Sequence, residues 1–396
     1  MKVVIATDSW KGSLTSLEAG QAIADGMRRA NLDAQLCVRP LADGGEETME
    51  ALVDAMGGEL RNIKVTGPLG EPIESTYGII QEIGTGIIEI ASAAGLTLVP
   101  AEKRNPLLAT SYGVGELIKD AIAQGCRHFI VGIGGSAVND GGIGVLQALG
   151  FGLLDKNGQQ VSFGAQGLLE LASITMEHVI PKLSECTFRV ACDVTNPLCG
   201  ESGASMVYGP QKGATLEMAR KMDAWMAAYA KQTAKAFGES DLAIQTRKTG
   251  ICVDSNYPGS GAAGGLGFAF RTFLHAELES GVKIILEETH LEDYIRDADL
   301  VVTGEGRLDA QTVMGKAPIG VAQLAKKYGK PVIAFCGCAS DDAKACNDAG
   351  IDAYFSVVRG PQSLEEAMLP EVAAENIKET SEQVMRLIAS IPHPLR

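Results

Sequence analysis

Five times in this chain a run of apolar residues ends in a loop of glycine or small residues that holds a carboxylate. The clearest case is Ile130-Val-Gly-Ile-Gly-Gly-Ser136-Ala-Val-Asn139-Asp140-Gly-Gly-Ile-Gly144. The others are Val3-Val-Ile-Ala-Thr-Asp8, Leu41-Ala-Asp43-Gly-Gly, Phe188-Arg-Val-Ala-Cys-Asp193 and Leu300-Val-Val-Thr-Gly-Glu305-Gly-Arg307. Glycine removes the Cβ that would keep an anion from the backbone N–H groups, a following helix start adds partial positive charge, and a carboxylate alongside can hold a metal ion. One such loop says little. Five at strand ends point to a polar cleft at the carboxyl edge of parallel sheets, where open α/β folds bind their ligands.

At 396 residues the chain exceeds the roughly 250 to 300 at which one core stops growing, so two domains are expected. Apolar residues make up 46% but aromatics only 5%, and 47 glycines sit among many Ala and Val, a composition of packed parallel sheets rather than disorder. The net charge of −15 argues against a nucleic-acid or anionic-membrane partner, since both need basic patches. It also means that an anionic substrate must be met by a local basic cluster or a metal ion. Nine scattered cysteines without CxxC spacing read as thiols of a reducing cytosol, and Cys336-Gly-Cys338 is the only close pair. Met1-Lys2 leads directly into Val3-Val-Ile-Ala, which reads as a first strand and not as a signal peptide. No stretch reaches the roughly 18 uncharged apolar residues of a membrane span. A cytoplasmic protein is expected, and a homodimer is compatible with this composition.

Along the chain, Lys2 to Thr7 predicts a buried strand and Ser16 to Ala30 a helix capped by Ser16. Ala34 to Val38 predicts a second strand, and Glu46 to Met56 a second helix. From Arg61 to Ile90 shorter alternating runs predict hairpins of a mixed sheet. Tyr112 to Ala123 predicts a helix, Phe129 to Ile133 a strand, and Asp140 to Leu149 a helix that opens at Asp140. Leu216 to Phe237 is the longest amphipathic helix. An α/β rhythm resumes near Leu291, with strands at Leu300 to Thr303, Pro331 to Phe335 and Ala353 to Val358, and helices at Ile319 to Tyr328 and Ala339 to Ala349.

P-loop, protein-kinase, GxSxG and HExxH signatures are missing. Gly259-Ser-Gly261-Ala-Ala-Gly264 matches the dinucleotide fingerprint, which leaves open an NAD-dependent dehydrogenase of a small hydroxy acid. Against it, the preceding strand is weak and a polar, proline-containing segment separates it from the glycines. A glycine-rich helix start is also a common packing device.

Seven motifs, in order, resemble the bacterial glycerate kinase family of the type I class: Asp8-Ser-Trp-Lys11-Gly-Ser, Ala42-Asp43-Gly-Gly-Glu46, Gly134-Gly-Ser136-Ala-Val-Asn139-Asp140-Gly-Gly, Cys192-Asp193-Val-Thr-Asn196-Pro-Leu, Gly209-Pro-Gln211-Lys212-Gly, Gly261-Ala-Ala-Gly264-Gly and Thr303-Gly-Glu305-Gly-Arg307-Leu-Asp309. The resemblance spans nearly the whole chain. It implies ATP- and Mg²⁺-dependent phosphorylation of D-glycerate at the 2-hydroxyl. It also implies a discontinuous flavodoxin-like or Rossmann-like parallel-sheet domain, residues 1–70 with 291–396, into which a mixed α/β domain, residues 71–290, is inserted. The chain departs from the family pattern at Thr7, Trp10 and Glu47.

Phosphoryl transfer needs cations on the phosphates, carboxylates for Mg²⁺ and a group near the attacking hydroxyl. Lys11, Lys212 and Arg307 are the candidate cations. Lys11, Asp193 and Arg307 are the expected catalytic residues, Asp140, Glu305 and Asp309 the expected metal ligands, and Asp8, Asp43, Ser136, Asn139, Asn196, Lys212 and Gly304 the expected substrate or nucleotide contacts. Bland duties compete: helix capping for Asp140, a surface turn for Asp309, loop capping for Asp193. Because these residues come from both expected domains, an interdomain cleft that closes on its ligands is expected.

Overall fold

The computed structural model describes residues 1–41, 48–239 and 253–391. They form two compact units, one within Met1–Asp43, Glu50–Met56 and Val282–Arg396, the other within Gly44–Met49 and Gly57–Gly281. Asp43 and Glu47 lie outside the described residues.

The first unit is built on a five-stranded, wholly parallel sheet in the order β13-β12-β11-β1-β2. The strands are β1 (Lys2–Ile5), β2 (Gln35–Val38), β11 (Leu300–Leu308), β12 (Val332–Ala339) and β13 (Ala353–Ser356). Val3 sits opposite Leu36 on one side and Leu300 on the other. Such a sheet must be covered on both faces, which is why β1 is apolar throughout its interior. Val3, Ile5, Leu300, Val302 and Phe335 form a core with Ala19, Ile23 and Met27 of helix Ser16–Ala30 and with Ile377 and Met385 of helix Pro370–Ser390. Strand order reverses between β1 and β11: the chain leaves β1 toward β2 on one side and β11 toward β12 and β13 on the other.

Helix Ser16–Ala30 is capped by Thr15 and not, as expected, by Ser16. The Thr15 hydroxyl accepts the Glu18 N–H and the Glu18 carboxylate accepts the Thr15 N–H, a complete capping box. Ser16 has another task. Its hydroxyl donates to the Thr7 carbonyl and accepts the Leu41 N–H, both at 2.7 Å, so one buried side chain ties together the chain ends of β1 and β2.

The second unit holds a six-stranded mixed sheet in the order β10-β9-β6-β5-β4-β3. Strands β3 (Glu59–Thr66), β4 (Pro72–Ile80) and β5 (Thr85–Glu89) pair antiparallel. From β5 onward β6 (His128–Gly132), β9 (Thr187–Ala191) and β10 (Glu277–Glu279) add in parallel, and β7 (Gly152–Leu154) with β8 (Ser173–Thr175) forms a separate pair. The expected domain boundary at residue 70 put β3 with the parallel sheet, whereas its register from Glu59↔Ile79 to Thr66↔Pro72 builds it into the mixed one. Among the described residues no helix is long and apolar enough to cross a membrane.

Two elements differ from the sequence reading in ways that shape the site. The helix expected from Asp140 begins only at Ile143, because Gly141 and Gly142 take the left-handed conformation at φ +67° and +77°. Strand β11 does not stop at Thr303 but runs through Gly304-Glu305-Gly306-Arg307 to Leu308, pairing Glu305 with Cys336 and Arg307 with Cys338 of β12. The expected glycine loop is therefore a strand; Glu305 and Arg307 stand on the same face of it, Glu305 buried and Arg307 exposed nearer the strand end.

Candidate functional site

At the strand-order reversal of the first unit lies a cavity of about 410 Å³. Open α/β sheets bind ligands at this position, outside the carboxyl ends of the strands, because the two flanking connections diverge there and leave a crevice. Its polar wall comes from the loop after β1, with Asp8 and Lys11, from the end of β11, with Glu305 and Arg307, and from Asp309 and Lys316 beyond it. The β1 loop is held to β11 by two bonds to the Gly304 carbonyl, from the Asp8 N–H at 2.8 Å and the Thr7 hydroxyl at 2.9 Å. A Cβ on Gly304 would come within 2.2 Å of the Phe335 carbonyl oxygen, so only glycine lets β11 lie this close to its neighbour. Thr7 thus supplies a cross-strand bond.

Within this wall Asp8 is buried and accepts the Ser9 N–H at 2.7 Å. Glu305 accepts the Thr312 hydroxyl at 2.6 Å and pairs with Lys316 at 3.2 Å. Burial raises its carboxyl above the ordinary range, against the opposing pull of Thr312 and Lys316. Asp309 accepts the N–H groups of Gln311 and Thr312, the turn duty foreseen as its alternative, and its other oxygen stands 3.5 Å from Arg307 Nε. Lys11 and Arg307 are exposed.

The second unit brings together a different set. The loop after β6 turns through Gly134 and Gly135, both exposed, into buried Ser136. Lys212, only 2% exposed, donates to Ser136 Oγ at 2.9 Å and to the Val138 carbonyl at 2.6 Å. Burial draws its pKa down to about 7, while the charge of Asp140 works in the other direction. Lys212 thus braces the glycine loop from behind instead of offering its ammonium to a phosphate.

Asp140 is fully buried and accepts the N–H groups of Ser111, Gly142 and Gly144 together with the Ser111 hydroxyl. Both of its oxygens are taken up in opening helix Ile143–Ala148, so the structure gives it the capping role and not the expected metal ligation. Among the described residues no group of three or more His, Cys, Asp or Glu is placed to hold a metal.

Asn139 donates to Ser205 Oγ at 2.8 Å inside the unit. Asn196 bridges two segments of its own loop, donating to the Ser202 carbonyl and accepting the Tyr208 hydroxyl. Asp193, exposed at the end of β9, accepts the N–H of Gly281 where helix Gly281–Glu288 begins. The Gly259–Gly264 fingerprint proves to be a packing device. A Cβ on Gly261 would meet the Pro197 carbonyl oxygen at 2.1 Å and one on Gly264 the Val138 carbonyl oxygen at 2.1 Å. Protein backbone fills the space a pyrophosphate would need.

Of the expected residues, Asp8, Lys11, Glu305, Arg307 and Asp309 line one cavity, whereas Ser136, Asn139, Asp140 and Lys212 are buried in the other unit. Sequence reasoning missed Lys316 and Ser111. Lys316 has a faint signal, a lysine just before the Ala317-Pro318 helix start. Ser111 has none, since only the fold brings it to Asp140.

Comparison with known proteins places the chain in a family. Residues 3–389 match the family model described as the glycerate kinase family. The chain is 46% identical to the glycerate kinase of Haemophilus influenzae over 389 residues, 98% of this chain and 99% of that one. It is 47% identical to the glycerate 2-kinase of Escherichia coli K12 over 389 residues, 98% of each. A crystal structure of a glycerate kinase 2 candidate from Salmonella typhimurium LT2 superposes with a TM-score of 0.88 at 45% identity, covering 98% of both chains. The chain belongs to the glycerate kinase family.

Proposed function

We propose that the protein transfers the γ-phosphoryl group of ATP to the 2-hydroxyl of D-glycerate. The observation that carries this reading is the cavity at the β1/β11 reversal, where Lys11, Arg307 and Lys316 share one wall with Asp8, Glu305 and Asp309. A chain of net charge −15 needs such a basic cluster to admit an anionic nucleotide and an anionic acid. Mg²⁺ bound with a nucleotide usually keeps several waters and takes only one or two protein carboxylates, and the carboxylates of this wall are oxygen ligands of the right kind. One or two of Asp8, Glu305 and Asp309 would hold it; when bound it would neutralise charge on the phosphate oxygens. Lys11 serves as a point charge on phosphate. Arg307 offers a planar fork to phosphate or to the acid's carboxylate. Asp193 receives the proton of the attacking hydroxyl. Gly134, Gly135 and Ser136 present backbone N–H groups to an anion while Lys212 fixes their course.

Coupled ADP release measured with glycerate, tartronate, lactate and glycerol, followed by phosphorus NMR of the product, tests the class and the position together. Turnover is expected with glycerate, with the phosphorus signal coupled to the C2 proton. ADP release that does not depend on the acid, or a 3-phosphorylated product, would refute the corresponding part. Excess EDTA should abolish turnover and added Mg²⁺ restore it; full activity in EDTA would eliminate the metal.

A further inference from the structure

The cavity of the parallel-sheet unit has a second wall that catalysis by cations and carboxylates leaves unexplained. It is apolar, formed by Trp10, Val357, Leu364 and Met368, and it also includes Asn376 of helix Pro370–Ser390. A three-carbon hydroxy acid gains nothing from such a surface. Two N–H donors of residues in this wall, Trp10 Nε1 and Asn376 Nδ2, have no hydrogen-bond partner among the described residues, and the two residues are only 4% and 6% exposed. Arg359 Nε donates to Asn376 Oδ1 at 3.3 Å, which fixes that amide's orientation and leaves its NH₂ end as the unmatched one. A buried donor without an acceptor is destabilising, so a folded chain that keeps two of them in residues lining one cavity has an acceptor to gain there. A flat heteroaromatic ring with acceptor nitrogens on its edge and apolar faces meets both requirements, and thioether sulfur packs well against such rings.

We propose that this cavity holds the purine base of the nucleotide, with Asn376 and Trp10 donating to ring nitrogens and Met368 and Val357 lying along the ring, while the phosphates reach the wall that carries Lys11 and Lys316. This assignment rests on the kinase reading above and adds to it which unit holds the nucleotide.

Calorimetric titration of the full chain with ADP and, separately, with glycerate provides the test. Asn376→Leu keeps the volume and removes the donor; it should weaken ADP binding about five- to tenfold, the value of one net hydrogen bond, and leave glycerate binding unchanged. A second arm needs no substitution in the wall: of 1-deaza-, 3-deaza- and 7-deaza-ADP, at least one should bind the wild-type chain about fivefold or more weakly than ADP. That arm decides the matter if Asn376→Leu does not fold. In a Trp225→Phe background Trp10 is the only indole, since the chain has 2 tryptophans, and ADP should change its emission. Wild-type ADP affinity in folded Asn376→Leu, or three deaza analogues that bind as ADP does, or a loss confined to glycerate, would overturn the assignment. If wild-type protein still phosphorylates glycerate under any of these results, the kinase reading survives and only the location falls; if wild-type protein binds no nucleotide, both fall.

Discussion

A lysine enclosed at 2% exposure beside a buried carboxylate makes the glycine loop of the second unit sensitive to pH. Folding moves the pKa of Lys212 from the ordinary 10.5 to about 7, so between these values the unfolded chain binds a proton that the folded chain has released. Stability from this group therefore rises with pH through that window, by up to about 1.4 kcal/mol per pH unit, and the full cost of burying the charge is present below it. Asp140 acts in a lower window: burial raises its carboxyl, so its cost sets in as pH rises above 3.8. Denaturant melts of wild type and Lys212→Met should accordingly diverge between about pH 7 and 10, wild type gaining, and parallel profiles would show that Lys212 is not the group concerned. In the other unit, Lys11→Ala and Arg307→Ala should each lower kcat/KM at least about tenfold, roughly 1.4 kcal/mol of transition-state stabilisation, without a change in melting temperature. Unaltered kinetics in either variant would remove that residue from the reaction. Asp8, Lys11, Glu305 and Arg307 were legible in the sequence because each comes shortly after a run of buried apolar residues and stands next to glycine or other small residues. Lys316 and Asn376 were not, because a helix start and a helix face give no sign of which cavity they border until the chain is folded.

Among the elements, the contact of helix Ser16–Ala30 with helix Pro370–Ser390 is the one most exposed to a single substitution. A Cβ on Gly26 would stand 2.1 Å from both the Lys378 carbonyl oxygen and Ser381 Oγ, and the first of these is backbone that a rotamer change cannot move. Gly26→Ala should destabilise the first unit by about 1 to 3 kcal/mol even though alanine is the better helix former, a reversal that urea unfolding would detect. Thr15→Ala should cost about 1 kcal/mol through loss of its capping box, whereas Ser16→Ala should cost more than a cap because its hydroxyl joins two strand ends. Equal losses in the two would contradict the assignment of the cap to Thr15. Helix Tyr112–Ala123 was readable to its ends, since its apolar residues keep helical spacing. β11 was not, because Gly304 and Gly306 read as loop signals, and only pairing with β12 keeps them extended. Helix Pro370–Ser390 escaped notice for a different reason: its apolar face is interrupted by Asn376 and Ser381, whose burial follows from packing and not from polarity.

For the whole molecule, the net charge of −15 acts on any anionic reactant before a local contact does. Raising ionic strength from about 10 to 150 mM screens that field, so KM for the acid should fall over this range, and a rise would mean that the basic wall dominates the approach. The two units should also differ in autonomy. A fragment of residues 57–281 contains its own sheet and should melt cooperatively, whereas residues 1–56 should stay unfolded, since β1 lacks β11 there; a stable fold of the short fragment would count against this. The parallel alternation of strands and helices was foreseeable from the apolar runs, and the alternating runs from Arg61 to Ile90 marked hairpins of a mixed sheet, but the boundary at residue 70 fell after β3 because a turn signal such as Gly67-Pro-Leu-Gly70 joins two strands of one sheet as readily as it separates two units. The pairing of β1 with β11 has a further effect at the ribosome. The bond that ties Lys2 to Asp299 spans 297 positions, and at about 5 to 20 residues per second the first strand waits roughly 15 to 60 s for its partner to be translated. During that time Val3-Val-Ile is an open apolar edge on a nascent chain, while the inserted unit has already emerged and can collapse on its own. Slow codons between residues 282 and 300 should lengthen that exposure and lower the yield of folded protein, at a point far from the strand that suffers from it, which synonymous variants of that stretch would check.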